Sequence, residues 1–495
     1  MNQKLQLPSL RKVDPDAKKK IKILLLSDDL RLNSGIATMS REFVLGTAHV
    51  FDWVQLGAAI NSPDQGKILD ISDEVNKQLG IDNANIKIYP NNGYGNPDLV
   101  NYLIKVEKPD AILHFTDPRY WEWLYLMERT IRQQIPIMYY TIWDDLPYPH
   151  WNEKYYESCD LLMCISKQTE NIIRNVLVNQ PKPDWAITYV PHGINENVFY
   201  PITEADPEYM KYQMFVDDFK KQHNVEFLVF WNNRNVHRKH PADVMLSFKL
   251  FVDSLPEEKR DKVGLLMHTQ IIDGDGTDLF AVRDMLCFDY EYKFIFSNQL
   301  VTPTQMNYFY NLAAVTLNIA SNEGFGLSGA ESLMAGTVIV NNVTGGLQDQ
   351  LRFEDVDGNW IEFNTDFPSN HNKTYTRCGV WGRPVYPSNR SIQGSPVTPY
   401  IFDDRVDCAE VATEIKYWYD TPQADRVAAG AEGRRWMLST ESGMSAPNMC
   451  NRMIESINTC IEKWTPRRRF DFYKAENKLP KRKAGLLHNA IQTSK

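Results

Sequence analysis

Ser321-Asn-Glu-Gly-Phe-Gly-Leu-Ser-Gly-Ala-Glu-Ser-Leu-Met-Ala-Gly336 is the stretch that decides the fold of this chain. It follows an apolar run from Val315 to Ala320, which predicts a buried strand. The stretch carries four glycines and two carboxylates where a strand passes into a helix. At such a junction, backbone N–H groups and the helix dipole can receive phosphate oxygens, while carboxylates receive sugar hydroxyls. The sequence therefore predicts one half of a nucleotide-sugar site here.

The composition is that of a globular protein long enough for two or three cores, with 495 residues of which 43% are apolar and 24% charged. The formal net charge of −9 argues against an overall electrostatic grip on nucleic acid or acidic membranes, although a local basic patch stays open. The seven cysteines form no Cys-x-x-Cys pair, so they predict neither a disulfide framework nor a zinc site. They indicate a reducing compartment, and we expect a cytoplasmic protein.

The two ends of the chain differ from its body. Residues 1–20 mix Lys, Arg and Asp without the apolar core of a signal peptide, and no run in the sequence reaches transmembrane length. We expect a flexible arm at 1–20 and a basic tail at 466–495. For the tail, a solvated segment and a contact to a polyanion both remain open.

From residue 21 onward, short runs rich in Ile, Val and Leu alternate with segments of helical period. Runs that are apolar on both faces are typical of parallel strands covered by helices on both sides. In residues 21–200 the predicted strands are Ile21–Ser27, Val54–Ala58, Ile86–Tyr89, Ala111–Phe115, Ile137–Trp143, Leu161–Ile165 and Ala186–Val190. This segment predicts one doubly wound, Rossmann-like domain.

The pattern pauses over residues 201–223, a polar stretch that we assign as a linker, and restarts over residues 224–440. The predicted strands there are Phe227–Trp231, Val263–His268, Lys293–Phe296, Val315–Ile319 and Thr337–Asn341. Two such domains leave a cleft lined by the carboxyl ends of both sets of strands, where ligands bind in open α/β sheets. The predicted fold class is therefore α/β, with two Rossmann-like doubly wound domains facing a cleft.

Residues 353–404 interrupt the second domain with Gly, Pro, Asn, Ser and aromatic residues and few helical periods. We expect an irregular insertion that is either ordered against the body or a lid, and its aromatic content favours order. Helices are predicted after it at Val406–Tyr419, Pro422–Leu438 and Ala446–Trp464. The last of these, within residues 441–465, is expected to pack back on the first domain.

The spacing of Glu323 and Glu331, with Gly324-Phe-Gly326 after the first Glu, resembles family 4 of the retaining glycosyltransferases. Further matching segments, in the order of the chain, are Tyr140-Thr-Ile-Trp143-Asp144, Val190-Pro-His-Gly193, Trp231-Asn-Asn-Arg234 with Lys239, and Thr344-Gly-Gly346. The resemblance covers most of residues 21–350. It implies the two-domain GT-B fold, a nucleotide-diphosphate sugar as donor substrate, and retention of the anomeric configuration.

Positive groups and backbone donors in this pattern suit a departing diphosphate. Breaking a sugar–phosphate bond builds negative charge, which Arg234 and Lys239 on a strand-end loop can meet with two fixed cations. Backbone N–H groups from Gly324 to Gly326 can supply more, because a Cβ would hold the chain away from the phosphate. We expect Arg234 and Lys239 to be catalytic.

The two glutamates of the motif need not share one role. The resemblance implies that Glu331 binds the ribose hydroxyls of the nucleotide and that Glu323 is a catalytic residue contacting the transferred sugar. Phe325 and Leu327 join the same donor site by their place in the motif. The alternatives are a carboxylate that satisfies the helix dipole at Glu323 and an exposed helix face at Glu331.

Gly35 follows the first strand, where this fold places a flexible loop against donor phosphate or acceptor. A plain helix start capped by Asn33 or Ser34 is an equally open interpretation. His192 replaces the commoner Asn before the glycine of its segment, and we interpret it as a hinge or donor contact.

One position departs from the family. Trp143 precedes Asp144 where many members have a histidine, so the role of that histidine cannot be assigned here. His114, followed by Asp117, is the nearest alternative polar cluster that faces the predicted cleft, and we name it as a catalytic candidate. A hydrogen-bonded structural histidine is the open alternative. Asp117 and Asp144 are assigned to the acceptor side.

These features together predict a metal-independent, retaining hexosyl- or pentosyltransferase. The loop from Asp273 to Asp278 places an aspartate where a calcium loop requires glycine, so no metal site is predicted. The acceptor is a glycan, a small molecule or a modified DNA base of viral type. A nucleotide-sugar epimerase and a catalytically inactive nucleotide-sugar-binding protein are the rival interpretations. Nothing in the sequence predicts the oligomeric state.

Overall fold

Eight strands between residues 21 and 189 form the first sheet of this computed structural model, which describes residues 19–468. They are β1 (Ile21–Asp28), β2 (Phe51–Ala58), β3 (Leu69–Asp70), β4 (Ile86–Pro90), β5 (Ala111–Phe115), β6 (Ile137–Thr141), β7 (Leu161–Cys164) and β8 (Ile187–Tyr189). Their order across the sheet is β3-β4-β2-β1-β5-β6-β7-β8. Neighbouring strands are parallel except for β3, which runs antiparallel to β4.

Helices cover both faces of this sheet. They are α1 (Gly35–Thr47), α2 (Ser72–Leu79), α3 (Pro97–Glu107), α4 (Glu122–Leu126), α5 (Glu128–Ile131), α6 (Glu153–Glu157) and α7 (Lys167–Val176), with 3-10 turns at Pro118–Trp121, His150–Asn152 and Asp184–Ala186. In β1, Ile23 and Leu25 join one apolar cluster while Leu24 and Leu26 join another on the opposite face. A continuous apolar run is therefore needed in this strand.

Residues 201–223, assigned above as a linker, contain a fifteen-residue helix, α8 (Tyr209–His223). Its Phe215 ring lies 5.7 Å from Tyr308 and 5.6 Å from Phe309, which belong to the following part of the chain. The helix thus packs on the second sheet's layer of helices. Its polar composition reflects a largely exposed surface with one aromatic stripe.

The second sheet has six parallel strands in the order β11-β10-β9-β12-β13-β14. They are β9 (Phe227–Asn232), β10 (Val263–His268), β11 (Phe294–Ser297), β12 (Val315–Asn318), β13 (Ile339–Asn342) and β14 (Gly382–Val385). The helices with them are α9 (Pro241–Asp253), α10 (Glu257–Arg260), α11 (Leu279–Leu286), α12 (Pro303–Leu312), α13 (Leu327–Met334) and α14 (Leu347–Leu351), with a 3-10 turn at His237–Lys239. The predicted α/β fold with two doubly wound sheets is confirmed.

The insertion at 353–404 is less irregular than we predicted. It supplies β14, the sixth strand of the second sheet, and a two-stranded antiparallel hairpin, β15 (Pro387–Ser395) and β16 (Thr398–Val406). We call this hairpin the strap. The β15 strand is mostly exposed. Its sequence therefore resembles that of a polar loop, because no buried face requires alternating apolar residues.

Three helices complete the described chain: α15 (Cys408–Asp420), α16 (Gln423–Leu438) and α17 (Ala446–Lys463). The last of these packs against α1 and β7 of the first sheet. We call the first sheet with its helices and α17 the first half, and the second sheet with its helices the second half. No helix of residues 19–468 has both the length and the apolar character needed to cross a membrane. The predicted arm and tail lie almost entirely outside those residues.

Candidate active site

The carboxyl ends of the two sheets face each other, and the halves touch across the predicted cleft. Asn322, after β12, donates from Nδ2 to Oδ2 of Asp145, after β6, at 3.1 Å. The backbone N–H of Lys167, at the start of α7, donates to Oδ2 of Asp349 on α14 at 3.0 Å. The structure therefore brings the loop after β12 directly against the strand ends of the first half.

Glu323 is the centre of a charged cluster at this junction. Its Oε2 atom accepts from Nη1 of Arg238 at 2.9 Å and also from the Lys239 ammonium. The side chains of Lys239 and Glu323 are only 7% and 10% exposed, whereas that of Arg238 is 50% exposed. Two cations from the loop after β9 thus converge on one carboxylate from the loop after β12.

Burial and charge oppose each other in this cluster. Burial would raise the pKa of Glu323, but the Lys239 ammonium and the Arg238 guanidinium outweigh it and hold that pKa below its usual value. Burial, helped by the Arg238 charge, lowers the pKa of Lys239 to about 8 despite its bond to Glu323. At neutral pH the cluster therefore holds one carboxylate and two cations, with one positive charge in excess.

Arg234 does not join this cluster. Its guanidinium is 62% exposed and bonds instead to Asp273 at 3.0 Å and Asp275 at 2.7 Å, on the loop after β10. The structure brings together two of the predicted catalytic residues, Lys239 and Glu323, and adds Arg238, whereas Arg234 lies apart. Sequence reasoning missed Arg238 because the matched motif selects Arg234, and no other signal marked the arginine directly before Lys239.

The glycines after Glu323 permit the close approach of three backbones. A Cβ on Gly324 would lie 2.6 Å from Cδ1 of Ile165 and 3.2 Å from the carbonyl oxygen of Ile142, both in the first half. Gly326 has a φ of +84° and immediately precedes α13. Gly345 has a φ of +46°, and a Cβ there would lie 2.0 Å from the carbonyl oxygen of Glu323. Glycine is required here both for conformation and for space.

Gly35 and Leu327 face each other across the junction. A Cβ on Gly35 would lie 3.4 Å from Cδ1 of Leu327, the first residue of α13. Gly35 begins α1, and the hydroxyl of Ser34 caps this helix by accepting from the N–H of Ala37 at 3.0 Å. The helix start capped by Ser34 is thus confirmed, and it places the turn of Gly35 beside the start of α13.

Glu331 lies on α13 with its carboxylate turned to α12. Oε2 accepts from the Tyr310 hydroxyl at 2.7 Å, and Tyr310 in turn accepts from Nδ2 of Asn232 at 2.9 Å. Burial raises the pKa of Glu331 to about 7, and the Tyr310 hydrogen bond opposes that rise. The hydrogen-bonded series Asn232–Tyr310–Glu331 orients one oxygen of this carboxylate. Sequence reasoning did not identify Tyr310 or Asn232.

The prediction that His114 faces the cleft is wrong. Its side chain is 0% exposed, its Nδ1 lies 2.6 Å from the Tyr125 hydroxyl, and its ring stacks on Tyr139 with centroids 5.1 Å apart. Burial lowers its pKa to about 3, so the ring is neutral. The residue points from β5 into the core beneath the sheet, which the hydrogen-bonded alternative anticipates.

His192 lies between the halves. It is 7% exposed, its Nδ1 lies 2.9 Å from the Tyr140 hydroxyl, and its ring meets Phe325 edge to face with centroids 5.2 Å apart. Burial lowers its pKa to about 3. His192 is therefore a neutral residue that packs beneath the loop before α13, and its partner Phe325 is itself only 3% exposed.

Asp144 and Asp145 follow β6 and differ in their surroundings. Asp145 is 1% exposed and accepts from the N–H of Leu146 at 2.7 Å as well as from Asn322. Asp144 is partly exposed at the junction, beside Arg238, Glu323 and Lys239. Burial raises its pKa to about 6; the Arg238 charge opposes this rise and the Glu323 charge adds to it.

Asp117 is held by Arg119, which also contacts the strap. Its carboxylate accepts from Nε of Arg119 at 2.9 Å, and Nη1 of Arg119 donates to Oγ1 of Thr398 on the strap at 2.6 Å. The same strand donates from the Phe402 N–H to the carbonyl oxygen of Leu146 at 2.8 Å. The strap thus begins in the second half and ties down two strand ends of the first.

The base of the strap is anchored in the second half. Asp404, 1% exposed, binds the Arg390 guanidinium across the hairpin, and its carbonyl oxygen accepts from Asn342 at 3.0 Å. Under the strap lies a cavity of about 720 Å³ beside the Glu323 cluster. Its lining includes Arg238, His240, Asn322, Gln393, Phe402 and Arg405. Arg238 is therefore reached from solvent through this opening.

Among residues 19–468, no group of three or more His, Cys, Asp or Glu side chains is arranged to hold a metal ion. The carboxylates of Asp273 and Asp275 bond to Arg234.

Comparison with solved structures identifies the architecture. The Anabaena protein HepE in complex with UDP and glucose matches with a TM-score of 0.58 at 11% identity, covering 89% of this chain and 100% of that one. Sucrose-phosphate synthase from Thermosynechococcus elongatus matches with a TM-score of 0.59 at 15% identity, covering 90% and 100%. The chain has a GT-B fold.

A third GT-B neighbour, α,α-trehalose 6-phosphate synthase from Burkholderia multivorans, matches with a TM-score of 0.60 at 10% identity, covering 89% of this chain and 99% of that one. No protein-family model and no curated sequence relative matches the chain. At these identities the likeness shows the fold alone. Any argument about chemistry therefore rests on the Glu323 cluster and the residues around it.

Proposed function

We propose that this GT-B protein is a glycosyltransferase that moves a sugar from a nucleotide-diphosphate sugar to a hydroxyl-bearing acceptor. The observation that carries the proposal is the convergence of Arg238 and Lys239 on Glu323 at the loop that leads into α13. This arrangement supplies fixed positive charge beside a helix N-terminus and a carboxylate, which suits a diphosphate linked to a sugar.

The charges of the cluster support a role in leaving-group departure. When the bond between the sugar and the diphosphate breaks, its electron pair stays with the diphosphate. Lys239 and Arg238 then stabilise the new charge, and a single oxyanion donor of this kind is worth about 3 kcal/mol. Glu323 holds both cations in place before the donor binds and, by the family resemblance, contacts the transferred sugar.

Glu331 and Tyr310 are the residues proposed to bind the nucleotide. A carboxylate oriented by one hydroxyl can accept from the two hydroxyls of a ribose. The Anabaena neighbour holds UDP and glucose, which makes UDP-glucose the first donor to test. Arg234 stands at the rim, where a diphosphate would compete for it with Asp273 and Asp275.

The finer parts of the proposal come from the sequence. Retention of the anomeric configuration and transfer of a hexose or pentose rest on the family resemblance. Action without a metal ion rests on the sequence of the Asp273–Asp278 loop, and action in the cytoplasm rests on the pattern of the cysteines. The acceptor is a glycan, a small molecule or a modified DNA base. Trp143 at the place of the family histidine keeps open a nucleotide-sugar-binding protein without catalysis. A nucleotide-sugar epimerase is the second rival, because the fold also serves such enzymes.

The test begins with thermal unfolding in the presence of UDP-, ADP- and GDP-sugars, because a ligand that binds the folded state stabilises it by mass action. Turnover of the stabilising donor is then followed with cell extracts, glycans and DNA as acceptors, and the product anomer is read by NMR. Transfer confirms the proposal. Donor isomerisation without transfer indicates the epimerase, and tight binding without transfer or hydrolysis indicates the inactive binder.

A further inference from the structure

A pair of aromatic rings lies at the strand ends of the first half. The rings of Tyr94 and Tyr120 are stacked, with their centroids 4.5 Å apart and an angle of 8° between their planes. Tyr94 lies in the loop after β4 and Tyr120 in the 3-10 turn after β5, and β2 and β1 lie between those two strands. The loop after β4 therefore reaches across the carboxyl ends of two strands to form this pair.

The Tyr94 ring is held in place, whereas the Tyr120 ring is half open. Gly95 has a φ of +75°, and a Cβ there would lie 2.9 Å from Cδ2 of Leu56 on β2, so the loop of Tyr94 lies directly on the sheet. The Tyr94 ring also meets the buried Trp121 edge to face, with centroids 6.1 Å apart. Tyr120 is 56% exposed although Tyr94 covers one of its faces. The other face of this ring is therefore open to a ligand.

Asp28, the last residue of β1, lies next to the pair. Burial raises the pKa of the Tyr94 hydroxyl, and the charge of Asp28 raises it further, so these two side chains are close to each other. Oδ2 of Asp28 accepts from the Ser34 hydroxyl at 2.7 Å, and Ser34 caps the helix that begins at Gly35. Asp28 thus neighbours both the aromatic pair and the turn that lies beside the start of α13.

The Asp28 carboxylate can still accept hydrogen bonds. It is 9% exposed, and the hydrogen bond from Ser34 is the one that residues 19–468 give it. Burial raises its pKa above the usual value, and no cation of the described residues opposes that rise. A carboxylate has about four acceptor positions, so this one has room for the hydroxyl groups of a ligand.

The charges around the pair favour an uncharged ligand. The arginines that follow β1 and β5 are both engaged, Arg31 by Asp29 at 2.8 Å and Arg119 by Asp117 at 2.9 Å. Asp28 is the carboxylate in excess. A nucleic acid requires cations for its phosphates. A neutral sugar ring can instead lay its C–H face on an aromatic ring while its hydroxyl groups donate to a carboxylate.

We propose that Tyr94, Tyr120 and Asp28 form the binding site for the acceptor and that this acceptor is a neutral saccharide. The inference rests on the proposed sugar transfer and narrows its acceptor. The open face of Tyr120 holds the saccharide ring, and Asp28 accepts from a hydroxyl group that does not react. In the transfer, the oxygen of another hydroxyl group bonds to the anomeric carbon, and its proton goes to the departing diphosphate.

The strap bounds this site on the side of Tyr120. Nη1 of Arg119, the residue directly before Tyr120, donates to Oγ1 of Thr398 on the strap at 2.6 Å. A saccharide on the Tyr120 ring would therefore lie between the strap and the turn of Gly35.

The first experiment tests the class of acceptor. Product formation from UDP-, ADP- and GDP-glucose is measured with a panel of neutral mono- and disaccharides, with glucose 6-phosphate, and with single-stranded DNA. We expect transfer to at least one neutral saccharide, with kcat/KM about tenfold or more above that of glucose 6-phosphate and DNA. Transfer to glucose 6-phosphate or DNA but to no neutral saccharide overturns the inference, and so does hydrolysis of the donor without transfer to any saccharide.

The second experiment tests the residues. Tyr120→Ala should raise the KM for the saccharide about tenfold or more because the stacking surface is lost, whereas Tyr120→Phe keeps the ring and should stay within about threefold of wild type. Asp28→Asn should raise the same KM about fivefold or more because a charged hydrogen-bond acceptor is lost. Tyr102→Ala, at a tyrosine of similar exposure (52%) on α3, is the matched control and should not change it.

A KM within about threefold of wild type in Tyr120→Ala overturns the inference. Thermal unfolding with the donor shows that each variant is folded. The two proposals fail in different ways. A wild type that neither binds nor turns over UDP-, ADP- or GDP-glucose contradicts the sugar transfer and the acceptor site with it. A wild type that transfers glucose with an acceptor KM that Tyr120→Ala leaves unchanged contradicts only the acceptor site.

Discussion

Nη1 of Arg238 lies 2.9 Å from Oε2 of Glu323, and the Lys239 ammonium reaches the same oxygen atom. One buried carboxylate therefore holds two cations that come from a different loop. Removing the carboxylate leaves both cations unpaired, whereas removing Lys239 leaves Glu323 with Arg238. This asymmetry predicts different effects on stability when Glu323 or Lys239 is replaced.

We predict that Glu323→Gln lowers the free energy of unfolding by about 3–5 kcal/mol. This loss should exceed that of Lys239→Met, because Glu323→Gln leaves two buried or half-buried cations without their carboxylate partner. The double variant should recover part of the loss. Arg234→Ala, at an exposed ion pair, should stay within about 1 kcal/mol of wild type. Urea denaturation at pH 7 measures all four, and a Glu323→Gln protein as stable as Arg234→Ala would contradict the buried cluster.

Tyr310→Phe should weaken donor binding about five- to tenfold, because Glu331 loses the hydroxyl that orients it and Asn232 loses an acceptor. Tyr308→Phe is the matched control on the same helix, since its hydroxyl bonds to Glu208 at 2.5 Å, away from the junction. Calorimetric titration with UDP compares the two. Equal affinities in both variants would remove Tyr310 from the donor site.

Gly345→Ala should lower stability by about 1–3 kcal/mol, because its φ is +46° and a Cβ would meet the Glu323 carbonyl oxygen at 2.0 Å. Gly324→Ala should be milder for folding but should hinder contact between the halves, because the nearest atom is the movable Cδ1 of Ile165. Gly274→Ala, with nothing within 4 Å, is the control. Thermal unfolding and UDP-glucose turnover are measured together, and a fully active Gly324→Ala would contradict the close junction.

Asp349→Asn should flatten the pH dependence of stability. Burial raises the pKa of Asp349 to about 7, and the Lys167 N–H and charge oppose that rise. A raised carboxyl pKa stabilises the folded state at low pH. That stabilisation is lost as the pH rises from about 4 to 7, by up to about 1.4 kcal/mol per pH unit.

Denaturant unfolding from pH 4 to 8 tests this expectation. The wild type should lose stability across that window, and Asp349→Asn should lose less. Asp366→Asn, an exposed aspartate, should follow the wild-type curve. An unchanged slope in Asp349→Asn would show that its carboxyl is not the group that titrates.

Tyr400→Ala should loosen the strap. The Tyr400 ring lies 4.3 Å from that of Trp151 in the first half, and its hydroxyl donates to the Tyr148 carbonyl oxygen at 3.3 Å. We expect kcat and KM to change together, as they do when a closing element is weakened. Ile392→Ala, with its side chain 68% exposed on the strap, is the control. Unchanged kinetics in Tyr400→Ala would contradict a closing role.

Much of the fold follows from patterns that burial imposes. Strands such as β1 are covered on both faces, so their apolar runs are visible in the sequence. The strap and α8 were not predicted from the sequence, because most of their residues face solvent and need no apolar pattern. The predicted insertion and linker are therefore the places where the architecture differed from expectation.

The candidate site also has parts that the sequence predicts and parts that it does not. Two predicted site residues, Lys239 and Glu323, lie together because strand ends of one parallel sheet share an edge. The direction of a side chain at a strand end is a different matter. His114 turned into the core and Arg234 to Asp273, because neighbouring groups decide the rotamer and the motif does not encode them. The positions of the Arg238 and Tyr310 side chains could not be predicted from the sequence for the same reason.

Helix α17 returns to the first half, where a Cβ on Gly46 of α1 would lie 2.4 Å from Sγ of Cys450. The first half is therefore built from two separate stretches of chain, and residues 201–445 are an internal segment between them. An exchange of that segment alone would replace the second sheet, its helices and the strap, while both stretches of the first half stay in one polypeptide.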